Sequence, residues 1–184
     1  MEHIPWNDPA NQVRKRRLTT STGWRYLQGT GKVTGNLIGG CVEVLDWLRG
    51  TVLSPQAHQF EKAILFLETS EEGLPPHALE RTLRVYAAMG LLQKLSGILV
   101  GRPGGQVPIE TFSDYDNAIL RVVAEEEGLT HLPIVTNMDF GHTDPMFVLP
   151  YGVRAQIDCD QQRFDILESA VVEAEAVHRN VVQE

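Results

Sequence analysis

The chain has 184 residues, of which 42% are hydrophobic and 22% are charged, and its formal net charge is −8 at pH 7. This composition is typical of one soluble globular domain, and the negative charge argues against nucleic acid as the main partner. No apolar run reaches the roughly 18 residues that a membrane helix needs, and the polar, acidic start is unlike a signal peptide. Cys41 and Cys159 lie far apart with no partner motif, which disfavours a disulfide. The sequence therefore predicts a cytoplasmic protein with neither a nucleic-acid nor a membrane partner.

The first 20 residues show no hydrophobic periodicity, carry two prolines and include four adjacent cations at positions 14–17. We interpret residues 1–20 as a loop or a severed linker, with the folded domain at 21–180. The cations form either a solvated face or a loop that contacts phosphate. Trp6 is large and apolar within this polar stretch. It is either an anchor onto a neighbouring surface or a platform on which a ring stacks.

From residue 21 onward, segments of strand length alternate with segments of helical periodicity. Continuous apolar runs predict strands buried on both faces, and Leu79, Leu83 and Tyr86 share one face of a predicted helix. Strands are predicted at 23–29, 32–38, 63–67, 97–100, 132–135, 152–157 and 163–167, and helices at 42–48, 76–86, 114–127 and 170–178. This order predicts an α/β fold, with mixed α+β as the alternative. The expected architecture is a single compact domain with a mostly parallel central sheet flanked by helices.

Three glycines, Gly29, Gly31 and Gly35, raise the question of a nucleotide-phosphate loop. Gly31-Lys32 is followed by Val33 rather than by Ser or Thr, and the glycine spacing misses the dinucleotide fingerprint by one residue. Turns explain these glycines better, and no cofactor is predicted.

Two titratable side chains follow predicted strands and are the candidates for chemistry. Glu68 lies at the exit of the strand 63–67, and His142 lies in a polar turn between two later strands. Gly141 permits a sharp turn that would direct His142 into a cleft. A carboxylate that accepts the Nδ1 proton of a histidine fixes its tautomer and supports the imidazolium. The alternative is a surface turn whose histidine has no function.

A nucleophile for such a pair is not evident in the sequence. No Gly-x-Ser-x-Gly elbow occurs, and Cys41, which opens a helix where a thiolate would be favoured, follows no apparent strand. The alternative chemistry is a metal site with ligands from Glu68, Asp139, His142 and Asp144. That set lacks a second histidine at ligand spacing, so no metal is predicted.

Five stretches carry a resemblance to a known family. They are 35–40 (Gly-Asn-Leu-Ile-Gly-Gly), 48–51, 65–72, Phe140-Gly141-His142 and 149–152 (Leu-Pro-Tyr-Gly). In this order they resemble the C-terminal half of the LD-carboxypeptidase family of serine peptidases, over nearly the whole chain. The segments 67–72 and 139–145 look closer to its microcin C self-immunity branch than to its murein-recycling branch. Glu68 and His142 match the family's catalytic Glu and His.

The resemblance implies that the chain is the C-terminal domain of a two-domain serine carboxypeptidase, whose missing N-terminal domain carries the serine and the oxyanion-hole amides. His142 would accept the serine proton and Glu68 would orient it, so the chain alone is expected to be inactive. The substrate would be a peptide or an aminoacyl-nucleotide, cleaved at an amide near its C-terminus. Trp6 and then Trp24 are the candidates for stacking on a nucleotide base, and Arg102 is a third candidate for substrate contact.

Two other functions remain open from the sequence. One is a murein tetrapeptide LD-carboxypeptidase domain, and the other is a binding module for acyl-nucleotides or murein peptides that performs no catalysis. Apolar surface exposed in the absence of a partner domain could also make the chain a homodimer.

Overall fold

A seven-stranded sheet forms the centre of the molecule in the computed structural model, which describes residues 4, 7–15, 17, 20–105 and 107–171. The strands are β1 (Arg25–Gln28), β2 (Lys32–Cys41), β3 (Ile64–Glu68), β4 (Gly97–Gly101), β5 (Ile134–Met138), β6 (Arg154–Asp158) and β7 (Arg163–Ile166). Their order across the sheet is β1-β5-β4-β3-β2-β6-β7. Strands β2 to β5 run parallel, and β1, β6 and β7 add antiparallel strands at the two sides. The predicted α/β fold with a parallel central sheet is confirmed.

Helices connect the parallel strands in the described part of the chain. They are α1 (Val42–Leu48), α2 (Pro76–Ala88) and α3 (Phe112–Leu120), with short 3-10 segments at Pro9–Asn11, Ala57–Phe60, Leu92–Lys94 and Ile109–Thr111. The predicted apolar face of α2 is confirmed, since Leu79 and Leu83 are fully buried and Tyr86 is nearly so. This spacing of three to four residues places one side of α2 against the sheet and the other in solvent.

The central strands are covered on both faces, which explains their uninterrupted apolar sequence. Every residue of β3, β4 and β5 is buried. Alternate side chains such as Leu65 and Leu67 pack in the cluster under α2 and α3. The intervening ones, such as Phe66, pack in a second cluster with Phe140 and residues of β6. The second face thus lies under the segment that carries His142.

The expectation that Cys41 follows no strand is wrong. Strand β2 continues through Gly39 and Gly40 and ends at Cys41, which pairs with Glu68 of β3. The two glycines look like a break in the sequence, but close backbone packing requires the first of them, and the second has a φ of +144° that favours glycine. A Cβ at Gly39 would lie 1.7 Å from the carbonyl oxygen of Phe66. A side chain at Gly39 is excluded, so this part of β2 lacks the apolar side chains that usually indicate a strand in a sequence.

The helix predicted at 114–127 is present but changes its hydrogen-bonding pattern. It begins at Phe112 as α3 and continues from Arg121 to Glu126 as a π-helical segment. The amide of Glu127 bonds to the carbonyl of Val122, five residues earlier. Such widening inserts an extra residue into a turn, and sequence periodicity does not register it.

The two ends of the chain lie largely outside the described residues. The predicted helix 170–178 falls there except for its first two positions, and the boundary between 1–20 and 21–180 stays a prediction. Among the helices of the described ranges, none is long and apolar enough to cross a membrane.

Candidate active site

The carboxyl ends of the four parallel strands lie side by side, and the candidate residues collect at this edge. Cys41 at the end of β2 pairs with Glu68 at the end of β3, and Gly101 of β4 pairs with Met138 of β5. Open α/β sheets bind their ligands just beyond these strand ends. The loop after β3 and the loop after β5 therefore face a common region.

Glu68 and His142, the two predicted catalytic residues, are in direct contact. Oε2 of Glu68 lies 2.7 Å from Nδ1 of His142, and it also accepts a 3.2 Å hydrogen bond from the His142 backbone amide. The Glu68 side chain is 10% exposed and the imidazole is 43% exposed. An ionised carboxylate only accepts hydrogen bonds, so this contact holds the proton of the neutral ring on Nδ1. Nε2 is then the ring nitrogen that can accept a proton.

Gly141 makes this contact sterically feasible. It has a φ of +84°, and a Cβ at this position would lie 2.4 Å from Cβ of Glu68 and 2.7 Å from its Oε2. The histidine loop (residues 139–147) therefore passes directly over the Glu68 side chain. The positive φ agrees with the sharp turn predicted from the sequence.

Arg102 and Trp24, both predicted to contact substrate, bind Asp139 of the histidine loop. Nη1 of Arg102 lies 2.6 Å from Oδ1 of Asp139, and the indole N–H of Trp24 donates to Oδ2 at 2.8 Å. The Trp24 ring packs against Phe147 with 5.9 Å between ring centroids. Contact of either residue with substrate stays a prediction. Trp6 lies outside the described residues.

The outward-facing Nε2 of His142 lies 3.1 Å from Oε2 of Glu71, whose side chain is 74% exposed. The neighbouring hydroxyl of Ser70 is turned away and donates to Glu43 at 2.7 Å. Among the residues that the structure describes, the hydrogen-bond partners of the ring are thus two carboxylates, and neither is a hydroxyl or a thiol. Nε2 is the atom that would receive the proton of a nucleophile in a triad.

Cys41 does not provide that nucleophile. Burial raises the pKa of its thiol to about 11, and its hydrogen bond to Glu43 and the charge of Glu68 act in the same direction. The thiol donates to Oε2 of Glu43 at 3.2 Å. The helix start does favour a Cys41 thiolate, since the backbone hydrogen bond from Val44 lowers the thiol pKa, but burial and the nearby carboxylates raise that pKa by more.

The carboxylates around His142 raise the pKa of its imidazole. The hydrogen bond to Glu68 is the largest cause, partial burial opposes it, and the charges of Glu68, Glu71 and Glu43 add to it. A higher pKa makes the ring a stronger base but keeps it protonated to a higher pH. The imidazolium is thus the form that this environment favours.

Replacing Glu68 by Gln is expected to lower the pKa of His142 towards its unperturbed value of about 6.5. In the unaltered chain the folded-state pKa lies above the unfolded one. The pair's contribution to stability is therefore complete below about pH 6.5 and is lost as the pH rises through the folded-state pKa. NMR titration of the His142 ring protons, assigned with a His142→Asn variant, measures the shift.

Glu61→Gln is the control, since Glu61 pairs with Lys94 before β3 begins. An unchanged titration in Glu68→Gln would show that the 2.7 Å contact does not control the ring.

The alternative metal site is not assembled. No group of three or more His, Cys, Asp or Glu side chains that could hold a metal ion occurs within the described ranges. Asp139 is instead engaged by Arg102 and Trp24. The side chains weighed as ligands therefore serve other contacts.

Glu71 is the residue at this site that sequence reasoning did not single out. It belongs to the run Glu68-Thr69-Ser70-Glu71-Glu72, in which only the first acid follows directly from the strand. The turn after β3 brings Glu71 back over the strand end, three positions beyond Glu68. The signal in the sequence that could have identified Glu71 is a second acidic residue only three positions after the acid at the strand end.

The family comparison agrees with this geometry. Residues 34–157 match the model of the LD-carboxypeptidase C-terminal domain, and the chain belongs to this family. The matched segment includes the ends of the parallel strands, Glu68 and His142. The chain is therefore a domain of a carboxypeptidase family, and carboxypeptidases are hydrolases.

The curated relatives of the chain are carboxypeptidases of this family and MccF, and its structural neighbours are MccF and MccF-like proteins. The microcin C7 self-immunity protein MccF of Escherichia coli is 29% identical over 169 residues, covering 91% of this chain and 45% of MccF. Solved structures include an MccF-like protein of Streptococcus pneumoniae in complex with AMP, with a TM-score of 0.71, 30% identity and coverage of 87% and 49%. MccF in complex with aspartyl sulfamoyl adenosine has a TM-score of 0.72, 26% identity and coverage of 93% and 48%. The chain thus spans slightly less than half the length of these relatives.

Proposed function

We propose that this domain supplies the histidine base and its orienting carboxylate to a serine carboxypeptidase. The observation that carries the proposal is the 2.7 Å contact between Nδ1 of His142 and Glu68, with Nε2 facing outward at the ends of the parallel strands. A base oriented by a buried acid is the arrangement that activates a hydroxyl nucleophile.

The proposed reaction is hydrolysis of an amide. A serine hydroxyl attacks the carbonyl carbon while Nε2 of His142 takes the hydroxyl proton, and Glu68 stabilises the resulting imidazolium. His142 then passes the proton to the leaving nitrogen as the C–N bond breaks, which gives an acyl-serine and a free amine. Water, deprotonated by the same ring, attacks the acyl group and releases the acid, which restores the serine.

The serine is proposed to come from a second domain. MccF and its solved relatives are about twice as long as this chain, and Nε2 here meets Glu71 rather than a hydroxyl. The exposed Glu71 side chain must turn away for a serine to approach. We expect the chain alone to show no hydrolysis, since it would lack both the nucleophile and the oxyanion hole.

The proposed substrate is a peptide or an aminoacyl-nucleotide. Support comes from the relatives whose solved structures hold AMP and aspartyl sulfamoyl adenosine. Trp6 and Trp24 are proposed to stack on the base, and contact of Arg102 with the substrate is the alternative to the role that its bonds to the histidine loop favour. A cytoplasmic setting is also proposed, in keeping with the acidic, soluble composition.

The experiment joins this chain to the N-terminal part of MccF that precedes the matching region, and we refer to the product as the joined enzyme. It is incubated with aspartyl sulfamoyl adenosine or with a murein tetrapeptide, and amino-acid release is measured. The joined enzyme is expected to cleave the nucleotide, the chain alone to cleave neither, and intact MccF serves as the positive control. Cleavage of the tetrapeptide alone would favour the alternative function, a murein tetrapeptide carboxypeptidase. Nucleotide binding without any cleavage by the folded joined enzyme would favour a binding module.

Trp6→Ala is expected to weaken AMP binding to the joined enzyme by about 5- to 150-fold, because stacking of a base on an aromatic ring is worth about 1–3 kcal/mol. Isothermal titration calorimetry measures the Kd. Trp47→Ala is the matched control, since Trp47 is 72% exposed on α1 and has no place in the proposal. Equal Kd values for Trp6→Ala and the unaltered enzyme would exclude Trp6 as the residue that stacks on the base. The same comparison with Trp24→Phe tests Trp24 as the second candidate for stacking.

A further inference from the structure

The guanidinium of Arg102 bonds to the histidine loop on both sides of His142. Nη1 lies 2.6 Å from Oδ1 of Asp139, before the histidine. Nε donates to the hydroxyl of Thr143 at 3.0 Å, and Nη2 donates to the carbonyl of Pro145 at 3.3 Å, after it. One side chain thus spans the loop from its first residue to its seventh.

The base of the loop is closed by the same group of residues. The backbone amide of Arg102 donates to the carbonyl of Met138 at 2.9 Å, and the amide of Phe147 donates to the carbonyl of Asp139 at 2.8 Å. The second carboxylate oxygen of Asp139 accepts from the indole of Trp24. The loop is therefore attached to β4 through Arg102 and to the start of β1 through Trp24, while Gly141 rests on Glu68.

We propose that Arg102 is a positioning residue that holds the histidine loop so that His142 meets Glu68. This inference rests on the proposed function, in which His142 is the base. The planar guanidinium donates in fixed directions to three acceptors, which a lysine ammonium on a flexible stem cannot reproduce at once.

Two simpler roles for Arg102 predict different behaviour. As a substrate contact it would use the two of its five N–H groups that the loop leaves unbonded, yet its side chain is only 14% exposed. As a mere positive charge it would repel the imidazolium, and its loss would raise the pKa of His142. As a positioning residue its loss separates His142 from Glu68, and the pKa falls.

The test is the direction in which the His142 titration moves in Arg102→Met, measured by NMR on the chain itself. The other charges facing the ring are Glu68, Glu71 and Glu43, and all three remain in this variant. We expect the pKa to fall towards 6.5 and the His142 amide to exchange with solvent at least tenfold faster. Arg121→Met is the matched control, because Arg121 is a 56% exposed cation that pairs with Glu80 and not with a residue of the histidine loop. A raised or unchanged pKa with unchanged exchange would overturn the proposal.

Two further variants keep the test decisive if Arg102→Met unfolds. Thr143→Val removes one acceptor of Arg102 and should lower the His142 pKa by less than Arg102→Met does. Arg102→Lys keeps the positive charge and should recover only part of the His142 pKa that Arg102→Met loses. In the joined enzyme, Arg102→Met should lower kcat at least 10-fold with KM within threefold, and a raised KM with unchanged kcat would assign Arg102 to substrate instead. The titration does not require hydrolysis. It can therefore support positioning even if the joined enzyme proves inactive, in which case only the proposed function fails.

Discussion

Replacing His142 with alanine in the joined enzyme is expected to lower kcat by about 10⁴-fold or more, with KM changed little, because the ring acts on the transition state rather than on substrate binding. Glu68→Gln is expected to cost about 10⁴-fold, since the ring would lose the carboxylate that fixes its tautomer and stabilises its charged form. Steady-state kinetics on aspartyl sulfamoyl adenosine measure both losses. The two residues share one hydrogen bond of 2.7 Å, so neither is expected to function without the other.

The matched controls for these variants lie at the opposite edge of the sheet. His131 is exposed just before β5, and Glu61 lies just before β3. His131→Ala and Glu61→Gln should leave kcat within about twofold of the unaltered enzyme, because a surface substitution away from the site changes little. Near-normal turnover in His142→Ala would exclude His142 as the base.

Gly141→Ala is expected to damage both stability and catalysis. A β-carbon would strike Cβ, Cγ and Oε2 of Glu68 at 2.4–2.7 Å, and the residue would have to keep a φ of +84°. The backbone conformation costs about 1–2 kcal/mol for a residue with a side chain, and the overlap adds about 1–3 kcal/mol. Urea unfolding of the chain measures the total. The His142 pKa should fall as well, since Glu68 can escape the clash only by moving away from the ring.

Gly152→Ala separates the two costs of that substitution. Gly152 has nearly the same backbone angle, with a φ of +81°, but a Cβ there would meet nothing within 4 Å. Gly152→Ala should therefore lower the unfolding free energy only by the cost of the backbone conformation, and it should leave the His142 titration unchanged. Equal losses of unfolding free energy in the two variants, with equal His142 titrations, would contradict the close packing of Gly141 on Glu68.

The meeting of Glu68 and His142 could be predicted because parallel strands impose it. A buried apolar run followed by an acid, and a second such run followed by a histidine turn, place both groups at the carboxyl edge of one sheet. The residues in α2 that face the sheet, including Leu79 and Leu83, follow as directly from helical spacing. In these cases a local pattern determines the position of the side chain.

Contacts between distant segments could not be predicted in the same way. Nothing local to Arg102 indicates that it bonds to Asp139, Thr143 and Pro145, some 40 residues later. Gly39 and Gly40 suggest a turn in isolation, and only the neighbouring carbonyl of Phe66 shows why the strand must carry a glycine at position 39. The position of Glu71 beside Nε2 depends on a turn whose shape no periodicity encodes. Each of these features is decided by the packing of a partner segment.

The geometry also indicates that His142 and Glu68, the proposed base and its acid, are held in contact without a nucleophile. Glu68 is buried, Gly141 rests on it, and the histidine loop is bonded to β4 through Arg102. A preorganised pair avoids the cost of ordering these groups during the reaction. The mobile step in our proposal is confined to Glu71, whose side chain is 74% exposed.

A double-mutant cycle on kcat in the joined enzyme, using Glu68→Gln, His142→Ala and both together, tests most directly whether Glu68 acts through His142. Residues that act as one unit give non-additive losses. We predict that the double variant has the same kcat as His142→Ala, because the carboxylate acts only through the imidazole. A double variant whose loss equals the product of the two single losses would contradict it.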